Sequence, residues 1–471
     1  MKELFHKTDS GKRADPVSLL MLAGSLVFYL FFAFYDKAVI CVDSPSYLSM
    51  NISREPLYPV FLAALRGLFG GLPGDGYLTV AAFLQSILAA LAAFSLADYI
   101  RKECALPAGV AAVLWFIPLA VSLLCRFGAK RGSMYSNSIL TEGITIAGYM
   151  LFFRYLLEYY FHKSAKSLIA CCILTFLMIS ARKQMVIALA MLMVCIPAAE
   201  RGKKQVVKGI GTAVLAAVLI LAGSTGFDLA YNYALRGEGV RHSSDGRFLT
   251  TMAFYTAERE DAAYLESEEI RELFLKIYDA CEENGYLGHS AGEGWLNRVS
   301  HFGDHYDHIQ IDTMWPAVND FVREHYGDGE VELSENADRI MGEINRALLP
   351  RNAGRLLGAF LDNFRSGLVT TVARRNRILN WYSLFVYLLY LALLALNIRE
   401  GKNSRQAACA ARIAGLVLLS IVFNVGLVSL VIFCQTRYTI YNMALFYMSL
   451  ILMLYSLAGI ACKKGINGLN W

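Results

Sequence analysis

Long apolar runs separated by short polar ones set the pattern of the chain. Runs long enough to cross a bilayer as a helix, roughly 17–25 residues, lie at about 16–35, 78–99, 106–125, 140–160, 205–223, 379–397, 409–433 and 439–461. Residues 167–198 are apolar except for Arg182, Lys183 and Gln184 in the middle, and at about 1.5 Å per residue this run is too long for one crossing. It reads as two short helices, 167–180 and 184–198, meeting in a turn that carries Arg182. The pattern therefore predicts ten helical passes. Between the seventh and eighth, residues 224–378 lose the apolar pattern and cannot lie in lipid; their length of about 150 residues suits a domain. Within them E-S-E-E-I-R-E-L-F-L-K-I-Y at 266–278 and V-N-D-F-V-R-E-H-Y at 318–326 space their apolar residues as helices do, and turn-rich runs such as H-S-S-D-G-R at 242–247 separate them. The expected fold class is an all-α polytopic membrane protein of about ten transmembrane or partly spanning helices. A membrane module at 1–223, with a first outer loop at 36–77, precedes a mostly helical extracytoplasmic domain at 224–378, and a second membrane module occupies 379–471.

Composition and charge sharpen this picture. Of the 471 residues 56% are hydrophobic and only 18% charged, with a mean hydropathy of +0.43, which excludes an ordinary soluble protein. The first apolar run has no small-residue cleavage site behind it and is expected to be an anchor, not a removed signal. The ten cysteines lie mostly inside apolar runs, without C-x-x-C spacing, which speaks against a disulfide framework or a zinc finger. The net charge of +5 conceals an asymmetry: residues 224–375 hold 26 Asp and Glu against 15 Lys and Arg, leaving that part at −11 and the remainder at +16. A basic membrane part with one acidic aqueous part is not the pattern of a nucleic-acid binder. Placing Lys2, Lys7, Lys12 and Arg13 in the cytoplasm puts Arg101-Lys102, His162 to Lys166, Arg201 to Lys208, Arg399 to Arg412 and Lys463-Lys464 there too, as the positive-inside rule requires. Both termini are then cytoplasmic and the acidic domain lies outside the cell membrane. Arg126, Lys130 and Arg131 run against that bias; they would bind a lipid phosphate or an anionic acceptor, or be neutralised by the acidic domain.

The chemistry concentrates in D-S-P-S-Y-L at 43–48 and R-E-P-L-Y-P at 54–59, just after the first apolar run. This stretch resembles the first outer loop of the GT-C superfamily of integral-membrane glycosyltransferases, which includes polyprenyl-phosphate-mannose-dependent protein mannosyltransferases and bacterial aminoarabinose transferases. The family's D-x-x-x-Y matches Asp43 and Tyr47, and its R-x-P-x-Y-P matches Arg54, Pro56, Tyr58 and Pro59. Its acid at the outer start of the fourth helix matches Thr141-Glu142. The arginine of its R-P hairpin matches Arg182, although Lys183 replaces the proline. The R-Y before the last helix matches Arg437-Tyr438, and a large outer loop between passes seven and eight is shared by position only. The resemblance implies transfer of a sugar, with inversion, from a polyprenyl-phosphate carrier to an acceptor on the outer face.

Such a transfer needs a base for the incoming hydroxyl and cations for the phosphate that departs. Asp43 is the candidate base, on the expectation that desolvation near the interface raises its pKa. Glu142 would position the acceptor, or share a metal or a proton with Asp43. Arg182, Arg54 and Arg437 would hold the phosphate, and Tyr47, Tyr58 and Tyr438 would line the substrate. Blander readings stand beside these. Asp43 in D-S-P-S is also a good helix cap, Arg54 and Arg437 could be snorkelling arginines, and Glu142 could face water at a helix N-terminus. Arg182, a charge within an apolar run, points to function by default. His301, Asp304, His305 and His308 share one helical face and form a weak metal-like set, workable for a divalent metal such as zinc or manganese; no metal or other cofactor is required by the reading. The partners expected are the lipid-linked sugar, the bilayer and an acceptor the sequence leaves unspecified. The rival functions are an envelope polysaccharide polymerase or ligase, a transporter or flippase for a lipid-linked sugar, and an anchored interaction protein working through its acidic domain.

Overall fold

The computed structural model describes residues 15–128, 132–200, 202–243 and 245–468. Lys2, Lys7, Lys12, Arg13, Lys130, Arg131 and Arg201, and the side chains of Lys463 and Lys464, lie outside the described residues. The protein is an all-α polytopic membrane protein, and among the described residues the one β-contact is an isolated parallel bridge between Val39 and Ser138.

The first membrane part contains α1 (Pro16–Asp36), the short α2 (Ser44–Leu48), α3 (Leu57–Phe69), α4 (Gly76–Glu103), α5 (Ala108–Gly128), α6 (Glu142–His162), α7 (Ala165–Ala181), α8 (Val186–Ala198) and α9 (Lys203–Arg236). The aqueous part comprises α10 (Asp245–Tyr255), α11 (Glu268–Glu283), α12 (Trp295–Asp307), a π-helical turn at His308–Met314, α13 (Trp315–Tyr326) and α14 (Glu330–Leu348). The chain returns through α15 (Ala353–Val372) to α16 (Arg377–Glu400), α17 (Arg405–Val431), α18 (Thr436–Thr439) and α19 (Met443–Gly468). Seven of the described helices are long and apolar enough to cross a membrane; α6, α7 and α8 account for the remaining expected passes.

Close packing of the bundle follows from small residues. Ala81, Ala82, Ala89, Ala90, Ala93 and Ala97 of α4 are all buried, which lets α1 and α6 approach its backbone, and Ala407, Ala410 and Ala414 do the same on α17. The aqueous part has its own core, in which Phe254, Phe274, Ile277, Ile309, Met314, Val322, Ile340 and Ile344 are buried. Its helices are amphipathic, with acids on the outward face, so the negative charge counted from sequence coats a conventional apolar centre.

Two elements differ from the sequence reading. Helix α9 runs on past residue 224 for three more turns and ends at Arg236. Helix α15 was not foreseen: its first half lies under the aqueous part against α12, while its second half, from Asn363 to Val372, is buried against α17. Its apolar residues are spaced as on an amphipathic helix and never form a spanning run.

The far end of α9 ties three parts together. The Arg236 guanidinium donates to the carbonyl of Met50 at 2.7 Å and pairs with Glu330 at 3.1 Å, and Glu330 accepts from the Ile52 amide at 3.3 Å. Arg126 is neutralised by Asp36, close to the Phe32 and Tyr35 rings, so its guanidinium serves the packing of α1 on α5 and is not offered to a lipid phosphate or to the acidic domain.

Candidate functional site

The first loop, between α1 and α4, is pinned by aromatic packing and hydrogen bonds. Tyr47 and Tyr58 meet edge to face at 5.2 Å in a small core with Leu62, Tyr77, Leu78, Ile139 and Leu140. The Tyr58 hydroxyl donates to Gln85 Oε1 at 2.8 Å, and Gln85 Nε2 donates to the carbonyls of Ser136 and Ser138 at 3.0 and 3.1 Å. The loop before α6 is pinned in turn by Asn137, whose Nδ2 donates to the carbonyls of Phe32 and Lys37. Asp43 and Glu142 therefore enter the same region on two segments cross-linked to each other.

Asp43 occupies the N-cap position of α2, yet its side chain makes no cap bond. It bridges two arginines: Arg54 Nη2 to Oδ1 at 3.2 Å and Arg437 Nη2 to Oδ2 at 2.7 Å. Arg54 is itself fixed by Ser46 Oγ, which accepts from its Nε at 2.7 Å, and lies 4.7 Å from the centre of the Tyr47 ring. Glu142 is fully buried at the start of α6 and is shared by Arg437 and by Arg182, the latter at 3.0 Å. Arg182, at the break between α7 and α8, also donates to Thr141 Oγ1 at 3.0 Å and to Gln184 Oε1 at 3.1 Å. Gln184 Nε2 in turn donates to Asn424 Oδ1 and to the Tyr438 carbonyl. Tyr438 presents its ring to both cations, with Arg182 5.4 Å and Arg437 5.9 Å from its centre.

The five charged residues of the family-like motifs thus form one chain of contacts, Arg54–Asp43–Arg437–Glu142–Arg182, with Tyr47 and Tyr438 against its cations. Tyr58 stands one layer back, its hydroxyl consumed by Gln85. These five residues carry three positive and two negative charges. Glu55 stands outside the chain of ion pairs: it accepts from the Lys183 amide at 2.6 Å and so joins the first loop to the break between α7 and α8.

One expectation is corrected. Desolvation does push the Asp43 pKa up, but the Arg437 and Arg54 charges together outweigh it and hold the carboxyl below the ordinary value. In this state Asp43 is a bound anion and a poor base. Glu142, enclosed between two guanidinia with no exposed surface, has no face to offer an acceptor directly.

The aqueous part contributes two residues that the sequence reading passed over. Arg247 of α10 lies 5.2 Å from the ring centres of both Phe248 and Trp315, and its buried Nε has no hydrogen-bond partner among the described residues. Burial and the nearby Arg54 lower its pKa, while Asp43 lies close enough to oppose them. Asp307, at the end of α12, has its pKa raised by burial and then by Asp43 and Asp312, against a smaller opposing pull from His308. Neither stands in a motif, which is why periodicity did not mark them.

Three of the four residues of the metal-like set make other contacts. His301 Nε2 donates to the Gly285 carbonyl at 3.0 Å, His305 and His308 stack on Tyr286, and His308 pairs with Asp312 at 2.7 Å. Among the described residues no three His, Cys, Asp or Glu side chains are grouped to hold a metal. Gly303, which would weaken this helix, has a packing reason: a Cβ there would come 3.3 Å from the Phe433 ring.

No protein-family model matches the chain, and no curated protein matches it in sequence. Among solved structures the chain is similar to the crystal structure of ArnT from Cupriavidus metallidurans bound to undecaprenyl phosphate, at 13% sequence identity, covering 93% of this chain and 76% of that one, with a TM-score of 0.31. A likeness at that level leaves the functional reading to the residues themselves.

Proposed function

We propose that the protein is a membrane glycosyltransferase of the GT-C type that moves a sugar from a polyprenyl-phosphate carrier to an acceptor on the outer face of the cell membrane, with inversion at the sugar. The observation that carries this reading is the five-residue chain of charges, with its excess of guanidinium, at the end of an apolar bundle. A lipid-linked phosphate is the anion that reaches such a place, its hydrocarbon in the bilayer and its charge at the helix ends.

In this reading Arg54, Arg182 and Arg437 hold the phosphate. Planar guanidinia can grip two oxygens at once, and they stabilise the charge that accumulates as the bond from phosphate oxygen to sugar breaks. Glu142 is a positioning residue that fixes Arg182 and Arg437. Asp43 has a switching role: a phosphate that takes over Arg54 and Arg437 removes the cations that hold the carboxyl ionised. Its proton affinity then rises when the donor is in place, and it takes the acceptor's hydroxyl proton. Tyr47 and Tyr438 line the sugar.

The test uses a host lacking the protein and complemented with Asp43→Asn or Arg182→Ala. Both variants are expected to insert at wild-type levels and to abolish the sugar modification of the envelope, read by mass spectrometry of its glycans and lipids. Unchanged modification with both variants overturns the proposal.

A further inference from the structure

A cavity of about 550 Å³ lies where α15 leaves the aqueous part for the bundle, and nothing above assigns it a role. It is within the usual size for a small-molecule site, roughly 300–1,000 Å³. Tyr255, Val299, Phe302, Ala359 and Leu361 supply apolar walls, and the charged groups at its edge form ion pairs: Arg298 with Asp362 at 2.6 Å, Arg355 with Asp261 at 2.7 Å and with Glu258, and His289 with Glu282 at 3.8 Å. A chamber whose walls are mainly apolar, with its charged groups gathered at the rim, suits an apolar guest better than a free sugar or an inorganic anion.

Two connections say what does suit it. Leu361 is 55% exposed, and Leu357, one turn earlier on α15, is 57% exposed. The apolar lining thus continues onto the outer surface of a helix that descends into the bundle. In the other direction the floor touches the charge cluster's own support. Asn363, which lines the cavity, donates from Nδ2 to the Ile432 carbonyl at 2.7 Å, and its Oδ1 accepts from the Cys434 amide at 2.7 Å. Cys434 stands three residues before Arg437. Phe302 meets Phe433 of the same loop edge to face at 6.5 Å.

We propose that this cavity seats the acyl chain of a bilayer-derived amphiphilic acceptor, entering along α15 and leaving the head group beside the loop that carries Arg437. The inference rests on the transferase reading for the word acceptor, but the cavity's affinity for a lipid chain is measured independently of it.

Gly358 provides the means of testing. It lines the cavity, and a Cβ built on it meets nothing within 4 Å, so a large side chain can fill the space while raising helix propensity. The full-length protein in nanodiscs is labelled with a phosphatidylethanolamine bearing a photoreactive acyl chain, and labelled peptides are mapped by mass spectrometry. Wild-type protein is expected to be labelled at Phe302 or Ala359, and Gly358→Trp to lose that label about tenfold while retaining wild-type thermal stability and binding of undecaprenyl phosphate; Gly358→Ala should behave as wild type. Label at these residues no stronger than on the exposed surface of the bundle, or unchanged in Gly358→Trp, overturns the proposal. So does loss of undecaprenyl phosphate binding in Gly358→Trp at normal stability, since the cavity would then hold the donor's chain. Should Gly358→Trp fail to fold, Gly358→Phe carries the same comparison. Wild-type protein that takes the acyl label but never binds undecaprenyl phosphate would sink the transferase reading and leave the lipid seat standing.

Discussion

Removing the charge of Glu142 while keeping its shape is the most informative perturbation of the cluster. Glu142→Gln retains the volume but leaves Arg437 and Arg182 facing a neutral amide in a place with no exposed surface. Breaking a buried ion pair by neutralising one partner costs about 3–5 kcal/mol, because the remaining charge stays desolvated and unpaired. The two arginines do not share that cost equally. Arg437 keeps Asp43 at 2.7 Å, whereas Arg182 retains only neutral partners, Thr141 and Gln184. The coupling of Glu142 to Arg182 should therefore exceed its coupling to Arg437, within the range of about 0.5–3 kcal/mol that contacting residues show. Reversible unfolding in mixed micelles of dodecylmaltoside and SDS measures both through double-mutant cycles with Arg182→Gln and Arg437→Gln. A loss below about 1 kcal/mol for Glu142→Gln, or couplings of zero, would refute the view that this carboxylate anchors the two arginines.

Other expectations follow from the same geometry. Asp43→Asn removes the anion that competes for Arg54 and Arg437, so undecaprenyl phosphate should bind as tightly as to the wild type or more tightly, by isothermal titration, even though transfer is lost; a tenfold weaker Kd would contradict the switching role. Asp307 has a raised pKa in the folded protein, from burial, Asp43 and Asp312. Its ionisation therefore costs the folded state stability above the folded pKa and nothing below the unfolded value, so Asp307→Asn should stabilise the protein at pH 7 and lose that advantage as the pH falls through the carboxylate range. An equal effect at pH 3.5 and 7 would remove the electrostatic explanation. Gly143→Ala would place a Cβ 2.5 Å from Gln85 Nε2, displacing the side chain that holds Tyr58 and the Ser136 and Ser138 carbonyls. A cost of about 1–3 kcal/mol is expected in the same unfolding assay, and a neutral result would mean that Gln85 is free to move.

Much of the architecture could be read from hydropathy because a spanning helix must be apolar along its whole length. Helix α15 escaped for the converse reason: half of it is sheltered by the aqueous part, so it needs only one apolar face. The meeting of Arg54, Asp43, Arg437, Glu142 and Arg182 was legible as five short motifs, but the partner of each was not. Asp43 is the instructive case, since D-S-P-S does start a helix and the residue does occupy the cap position, while its carboxylate answers to arginines that no local pattern contains. Arg247 and Asp307 carry no local signal, because their significance comes from where the fold brings them.

The bond between Arg437 and Asp43 joins residues 394 positions apart. A ribosome will have released the first loop long before it makes the residue that completes it, so through nearly all of synthesis Asp43 and Glu142 wait without their shared cation. The chain of charges is thus completed only by α18, late in the sequence. A chain truncated ahead of α18 would insert most of its helices and hold no assembled charge cluster.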